Sequence, residues 1–242
     1  MATLAELRSR VLANLDRSDA NSTEQGYVTD WINQFIREDL CQKHNWDFME
    51  HVEDVSTTDG VDEYAFPDSG SGDRFKDCRW IRFRTKSDED FWEIEEVPVR
   101  ALYQGFTEQT RGQPVCWARV GENKFKVRFI PDASTYEFRI HVWEYPAALT
   151  SDGDSNTLTN SYTRLVEFGA TARGFLHYGE FNSASYWSSA VANERDNAIK
   201  VDRKRLAPSQ RTFKPSTAAG RPALGLSRSG RFRTSPFSWW TP

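Results

Sequence analysis

The sequence predicts an α+β protein in which two pairs of helices flank an inserted β region. In the first 45 residues, and again over 151–206, apolar side chains recur at the spacing of amphipathic helices. Between these stretches the apolar period changes to two, as in half-buried strands. We therefore expect a helical hairpin over residues 1–45, an antiparallel β domain over 46–150, a second helical hairpin over 151–206 and an extended C-terminal arm over 207–242.

Two helices are predicted before residue 45. Thr3 and Glu6 have the spacing of a capping box, and Ser22 with Gln25 repeats that spacing before a longer helix. The apolar stripe of the second helix is wide and rich in aromatic residues, comprising Tyr27, Val28, Trp31, Ile32, Phe35, Ile36 and Leu40. A helix that faces one neighbour needs a narrower stripe, so we expect further helices to bury this one in a common core.

The β region is predicted to contain several short strands separated by turns. In its clearest part, Phe125 and Val127 alternate with charged residues. Residues 131–134 (Pro-Asp-Ala-Ser) supply turn chemistry, and a second alternating run begins at Tyr136. The pattern predicts a β-hairpin that ends before Pro146, since proline cannot donate to the ladder.

A further strand is predicted over residues 77–85. Residue parity puts Cys78 and Trp80 on one face, and Ile81 and Phe83 on the other. Because neither face is purely polar, we expect this strand to be covered on both sides, by the core on one and by a neighbour on the other.

The C-terminal pair of helices is predicted to follow a polar loop at 150–160. Asn160 or Ser161 is the expected cap of the third helix, and Ser183 that of the fourth. Small residues such as Gly169 in the third helix allow another helix to approach closely. The simplest packing joins all four helices into one four-helix bundle, with an antiparallel β-sandwich or barrel inserted between the second and third.

Charge is divided unevenly along the chain. The net charge is −4, but the arm carries six basic residues and no acidic one, so the rest of the chain is acidic. This division suggests that the arm has a partner of its own. The three cysteines, Cys41, Cys78 and Cys116, are isolated, and the sequence has neither a signal peptide nor an apolar run of ~20 residues. We expect an intracellular product, or a component of an assembly made in a cell, without membrane association.

Nothing in the sequence indicates catalysis. It contains no phosphate-binding loop, nucleophile elbow or zinc-protease motif, and its four histidines are scattered. The acidic residues within 88–96 permit two interpretations, a divalent-metal site or a solvated edge; the second is favoured because nothing fixes the carboxylates in one shell. Residues 152–156 resemble part of a calcium loop but lack its terminal glutamate. We predict a protein that is not an enzyme and holds no cofactor or metal.

The end of the arm is unusually aromatic. An exposed apolar segment that belongs to no periodic element usually marks an interaction site, and each large ring can bury about 150–250 Å². An incidental sticky end is the alternative. We predict a partner-docking segment formed by Arg228, Arg231, Phe232, Arg233, Phe237, Trp239 and Trp240.

Three passages together resemble a known family. They are the Trp-Ile-Asn of residues 31–33 in the second helix, the β passage, and the helix that opens at Ser161. The β passage carries Pro131, Asp132, Tyr136, Ile140, Tyr145, Pro146 and Leu149. This combination resembles the head–tail adaptor proteins of tailed phages, especially the tail tubular protein A type of short-tailed phages. The resemblance extends from Leu4 to Leu206.

This resemblance implies a structural role in the virion. Such a protein forms a homo-oligomeric ring, expected to be a dodecamer, that docks beneath the portal in the neck between capsid and tail. The ring extends the DNA channel and contacts a tail nozzle or tail tube protein, and it is assembled in the host cytoplasm. Genomic DNA is expected to pass through its lumen without specific binding, and an acidic wall suits this because it repels phosphate.

A different class of function stays open at this point. The arm interleaves arginines with aromatic residues, a composition that also suits nucleic acid, since arginine neutralises phosphate and aromatic rings stack on bases. The alternative is therefore a nucleic-acid-binding protein that uses its basic aromatic arm. Its acidic body and the lack of a recognisable nucleic-acid-binding module weigh against it.

Overall fold

The computed structural model describes residues 2–67, 74–86, 89–103 and 110–206. In chain order its elements are α1 (Leu4–Asn14), α2 (Ser22–Gln34), a π-helix (Phe35–Cys41), a 3-10 helix (Asp47–Met49), β1 (Glu50–Ser56), β2 (Glu63–Ala65), β3 (Phe75–Arg84), β4 (Trp92–Glu96), α3 (Val99–Leu102), β5 (Cys116–Arg119), β6 (Lys124–Arg128), β7 (Glu137–Glu144), α4 (Thr157–Ser161), α5 (Thr163–His177) and α6 (Phe181–Leu206). The predicted α+β class is confirmed. Within the described residues, no helix is long and apolar enough to cross a membrane.

Side chains cap several of the helices, although some of the capping residues differ from the predicted ones. Thr3 caps α1 as expected. Asn21, not Ser22, caps α2: its side chain accepts from the backbone of Glu24 at 3.1 Å, and the Glu24 carboxylate accepts from the Asn21 N–H at 3.1 Å. Asn156 likewise caps the short helix α4. The predicted third helix is α5, and its N-cap is Tyr162, without a side-chain capping bond, rather than Asn160 or Ser161. Helix α6 begins at Phe181, before the predicted cap.

Within the described residues, the strands form a seven-stranded sheet of order β1-β7-β3-β4-β5-β6-β2. The prediction of a purely antiparallel arrangement is wrong, because β4 and β5 run parallel. A parallel pair needs a crossover rather than a tight turn, and the connection containing α3 provides it.

The predicted hairpin that ends before Pro146 is also wrong, although both of its strands exist. Strand β6 pairs with β2 and β5, whereas β7 pairs with β1 and β3. Phe129 directly follows β6 with a φ of 66°, a left-handed conformation that redirects the chain. As a result, Phe125 and Phe138 meet across the core, edge to face, with ring centroids 5.6 Å apart.

The sheet curls around one aromatic core. Tyr64 of β2 and Phe138 of β7 come from opposite halves of the strand order, yet their ring centroids are 5.2 Å apart. Strands this far apart in a flat sheet would not touch, so the sheet must bend towards closure. The buried residues inside it are Tyr64, Phe66, Cys78, Ile81, Phe83, Ile94, Trp117, Phe125, Val127, Phe138, Ile140 and Val142.

An irregularity in β3 changes which residues share a face. The pairing of β3 with β7 shifts register between Cys78 and Trp80. A shift of this kind inserts an extra residue and reverses the alternation beyond it. Cys78 therefore joins Ile81 and Phe83 in the buried core, and the predicted sharing of a face by Cys78 and Trp80 is wrong.

Helix α5 lies at the centre of the helical layer, where α1, α2, the π-helix, α4 and α6 all contact it. Glycines make these contacts close, as predicted: a Cβ at Gly169 would overlap the Phe35 ring, and one at Gly174 would lie 2.9 Å from Trp31. The core of this layer includes Leu4, Leu7, Val11, Val28, Trp31, Ile32, Phe35, Ile36, Leu40, Trp46, Leu149, Leu158, Leu165 and Val166.

Candidate assembly surfaces

Helix α6 is buried along one side and exposed along the others. Ala184 lies in the protein interior, and Trp187 packs on Phe168 of α5 with ring centroids 5.1 Å apart. On its free sides, Phe181 and Tyr186 are each 71% exposed. Large aromatic side chains left this open are typical of contact surfaces, so the free side of α6 is a candidate assembly surface.

The C-terminal part of α6 is tied to the segment that links the helices to the sheet. Asp202 is only 2% exposed; one of its carboxylate oxygens lies 2.9 Å from Nε2 of His44. The other oxygen accepts a hydrogen bond from the backbone N–H of Asp47 at 3.2 Å. A buried carboxylate with two partners fixes helix position strongly, because losing either partner would leave a charge poorly solvated.

A groove runs between α2 with its π-helix on one side and α6 on the other, with α5 as its floor. We call it the helical groove; its volume is about 620 Å³. It is lined by Trp31, Gln34, Phe35, Asp39, Leu40, Gly169, Ala172, Arg173, Leu176, His177, Ser188, Val191, Ala192 and Arg195. Leu176 lies close to the C-terminal end of α5, and its side chain is 52% exposed. The groove therefore presents apolar surface that the described residues leave uncovered.

One wall of the helical groove is fixed by charge. Arg173 donates to Glu38 at 2.7 Å, to Asp39 at 2.8 Å and to Gln34 at 2.9 Å. Burial acts to raise the pKa of Asp39, but hydrogen bonds from Lys43 and Arg173 outweigh it and hold that pKa below its ordinary value. This network joins α5 to the π-helix, a type of segment that often occurs at functional sites.

An aromatic cluster adjoins the groove through Trp31 and His177, which line it. Trp31 lies with its ring centroid 5.3 Å from His177 and 6.0 Å from Tyr178, the latter edge to face. Tyr27 packs on His177 from outside, and the guanidinium of Arg17 sits 3.9 Å from the centroid of Tyr178. These contacts hold the indole of Trp31 in one orientation at the groove wall.

A second candidate surface is the outer face of β1, β7 and β3. Val52, His141 and Trp80 lie side by side there through strand register, and the last two rings have centroids 5.0 Å apart. Burial lowers the pKa of His141; Glu50 opposes this shift, and nearby arginines add to it. Arg82 stacks on Trp80 at 4.4 Å. Tryptophan and arginine are enriched in protein interfaces, so this face also suits a protein partner.

The sites that the sequence suggested have different outcomes. The predicted docking segment, Arg228 to Trp240, lies outside the described residues. Of the acidic run, residue 88 also lies outside them, and the side chains of Glu93, Glu95 and Glu96 are exposed on β4. No group of metal-ligating side chains occurs within the described ranges.

The loop that resembled a calcium site has a structural task. The backbone carbonyls of Asp154 and Asp152 accept from the N–H groups of Leu4 and Ala5, at 2.9 and 3.1 Å. The Asp154 carboxylate accepts hydrogen bonds from the backbone N–H groups of Ser151 and Thr150, and these hydrogen bonds lower the pKa of Asp154. The loop therefore satisfies the free N–H groups at the start of α1.

Sequence reasoning did not identify the aromatic residues of α6 or the groove. The apolar residues Trp187, Val191 and Ala198 of α6 face the other helices. Phe181 and Tyr186 do not share the helical spacing of these buried residues, so the spacing does not single them out. Their position out of phase was itself the available signal, since a large ring opposite the buried face of a helix must be exposed.

Comparison with known proteins covers both the helical layer and the sheet. A family model described as SU10 adaptor protein matches residues 2–213 of the chain. The matched range contains every helix and strand described above and ends at residue 213. No curated protein matches the chain.

Proposed function

The chain belongs to the SU10 adaptor protein family, a family of phage head–tail adaptors, and we propose that it forms the ring that joins the portal to the tail. Membership makes it a virion component that interacts with other head and tail components. In our proposal a dodecamer docks beneath the portal in the neck, extends the DNA channel and offers its lower face to a tail nozzle or tail tube protein. The family match over residues 2–213 carries the proposal.

The exposed surfaces support a ring of identical subunits. A ring is built from heterologous contacts, in which one patch of a subunit meets a different patch of the next. The chain offers such unlike patches in the free side of α6, with Tyr186, and in the outer face of β1, β7 and β3, where Val52 is 49% exposed and Trp80 is half-buried. An adaptor needs binding surfaces and no chemistry, so we assign no catalytic residue, metal or cofactor.

We further propose that α1, α2, α5 and α6 act as one four-helix bundle. Its support is the central position of α5, which the other three helices contact. In this division residues 1–45 and 151–206 form the bundle, 46–150 are the inserted β domain, and 207–242 are an arm.

The arm is proposed to dock on the portal. Its support is compositional: Trp239 and Trp240 are adjacent, and phosphate binding gives no reason for two neighbouring indoles. The arginines of the arm would orient it and add a modest salt dependence. The acidic remainder of the chain suits a channel through which DNA passes without being held.

Electron microscopy of the purified protein, with and without its portal, tests this function. We expect single chains near 27.9 kDa alone and rings only on the portal. A stable ring without the portal would contradict template-dependent assembly. If the protein did not associate with the portal at all, the proposed docking beneath the portal would be wrong.

A deletion of residues 229–242 separates the portal from nucleic acid as partner of the arm. Portal and DNA binding are measured for the full and the shortened chain at two salt concentrations. Lost portal binding supports the proposal. Intact portal binding together with lost DNA binding, and a log–log salt slope of about −0.7 to −0.9 per phosphate, would instead support the nucleic-acid alternative.

A further inference from the structure

Strand β4 carries negative charge that its own chain leaves unpaired. Residues 89–96 contain five acidic residues and no basic one. The side chains of Glu93, Glu95 and Glu96 are exposed, and none of them forms an ion pair with another described residue. The acidic residues of the other strands all form an ion pair with an arginine, a lysine or a histidine; they are Glu50, Glu53, Asp54, Glu63, Asp77, Glu137 and Glu144. Strand β4 is therefore the strand whose charge is available to a partner.

The C-terminal end of α6 carries the opposite charge. Residues 199–206 contain four basic residues and one acidic residue, Asp202. Asp202 is buried and bound to the segment that links the helices to the sheet, so it does not neutralise the surface. Lys200 and Arg203 are exposed and form no ion pair within the part of the chain that the structure describes. The helix dipole favours basic residues at this end, but it leaves their nitrogens free to bind a carboxylate.

We propose that Lys200 and Arg203 of one subunit contact Glu93 and Glu95 of the next subunit in the ring. The partner is a second copy because this chain carries both charges, and no ion pair between described residues joins β4 to α6 within one chain. Two unlike surfaces of identical subunits form a heterologous contact, the type from which rings are built. The inference rests on the proposed function, because it supplies the proposed ring with a defined contact between neighbours.

This charged contact is continuous with the two candidate assembly surfaces. On α6, Tyr186 and Lys200 are almost four helical turns apart and lie within about 40° of each other around the axis, so they share one side of the helix. On the sheet, Glu93 is the register partner of Arg82, and Arg82 stacks on Trp80 of the outer face. Joining the charges therefore brings the free side of α6 onto the outer face of the neighbouring sheet.

The dimensions of the two surfaces allow the charged and the apolar contacts to form together. Along the helix axis, Tyr186 lies about 21 Å from Lys200. On the sheet, β4 and β1 are separated by β3 and β7, so their axes lie about 14 Å apart. A helix whose basic end binds β4 is therefore long enough to reach β1, where Val52 is 49% exposed. The ion pairs fix the direction of the contact, and the apolar groups add buried surface.

Disulfide trapping between two copies tests the contact without the portal. The single variants Glu93→Cys and Val201→Cys place one thiol on β4 and one beside Lys200, where Val201 is 45% exposed. The native cysteines are buried, so their thiols are unreactive. On oxidation of a concentrated equimolar mixture, we expect at least about tenfold more covalent dimer than from either variant alone, because the bond requires Cα atoms within about 7 Å.

The matched control mixes Val61→Cys with Val201→Cys. Val61 is 38% exposed and precedes β2, which lies at the far end of the strand order from β1. A dimer yield in the test mixture that exceeds the control supports the proposal. Equal yields in the two mixtures would overturn it, as would a dimer formed by Glu93→Cys or Val201→Cys alone, since that product requires like surfaces to meet.

Charge reversal tests the same contact on the portal. Glu93→Lys/Glu95→Lys and Lys200→Glu/Arg203→Glu should each reduce complete rings several-fold in electron microscopy, because like charges then face each other. A chain with all four changes should regain ring formation, since the opposite charges face each other again; this recovery distinguishes a contact from a folding defect.

Asp19→Lys/Glu122→Lys, which reverses two exposed acidic residues elsewhere, is the control and should form complete rings. Unchanged rings in both reversed variants, or no recovery in the combined one, would refute the contact. If the unmodified chain does not bind the portal, the proposed function fails while the disulfide result still decides this contact. If it forms rings that charge reversal does not affect, the proposed function stands and this contact is wrong.

Discussion

Replacing Gly169 by alanine should destabilise the protein, although the same change usually stabilises a helix. A Cβ at this position would overlap the ring of Phe35, so α5 and the π-helix would have to move apart. Forced overpacking costs about 1–3 kcal/mol, and the higher helix propensity of alanine offsets about 1 kcal/mol of this. We expect a net loss of up to about 2 kcal/mol, measured as a lower midpoint of urea denaturation with an unchanged slope.

The chain contains a matched control for this substitution. A Cβ at Gly26 in α2 would have no neighbour within 4 Å, so Gly26→Ala should raise stability by about 0.5–1 kcal/mol. On a Phe35→Leu background the smaller side chain should relieve the overlap and reduce the cost of Gly169→Ala, a coupling that a double-mutant cycle measures. If Gly169→Ala matched Gly26→Ala in sign, the close packing of α5 on the π-helix would be disproved.

Three further predictions address the core, the surface and the pH dependence. Trp31→Ala should lower the free energy of unfolding by ~3–5 kcal/mol, because Trp31 is buried in the helical core; an unchanged melting temperature would place this indole at the surface. Tyr186→Ser should leave the melting temperature unchanged but reduce ring formation on the portal, seen by electron microscopy, whereas Val115→Ser, also exposed, should change neither the melting temperature nor ring formation. The pKa of Asp39 is lowered in the folded protein, so its contribution is fully present above about pH 4 and is lost as pH falls through the folded pKa. Asp39→Asn should therefore flatten the acid side of the stability–pH curve in chemical denaturation, and an unchanged acid side would show that its ion pairs contribute nothing.

Local patterns in the sequence predicted elements better than their pairing. The alternation around Phe125 and Phe138 correctly indicated strands, because period-two burial is a local property. Which strands pair depends on the backbone between them, and nothing in the residue types announces that Phe129 takes a positive φ. The extra residue near Cys78 escaped for the same reason, since a shift of register is decided by the partner strand.

The candidate surfaces were only partly predictable. Helical spacing correctly placed Trp31 in the core, and the small residues of α5 correctly indicated close packing. The helical groove combines side chains of residues 31–40 with side chains of residues 169–195, which are far apart in sequence, so no single stretch could reveal it. Tyr186 is out of phase with the buried stripe of α6, but its exposure also depends on which side of α6 packs against α5.

Rigid presentation is what makes α6 a credible binding element. Its early part is held by the packing of Trp187 on Phe168, and its later part by the buried carboxylate of Asp202. The exposed Tyr186 therefore projects from a helix that is fixed directly beside it, at Trp187, and again near its C-terminal end, at Asp202. Binding through an ordered side chain on a rigid element loses little conformational entropy, whereas a mobile loop must first be ordered. In the ring that we propose, one contact recurs at every interface, so a rigidly held α6 would give each of those interfaces the same advantage.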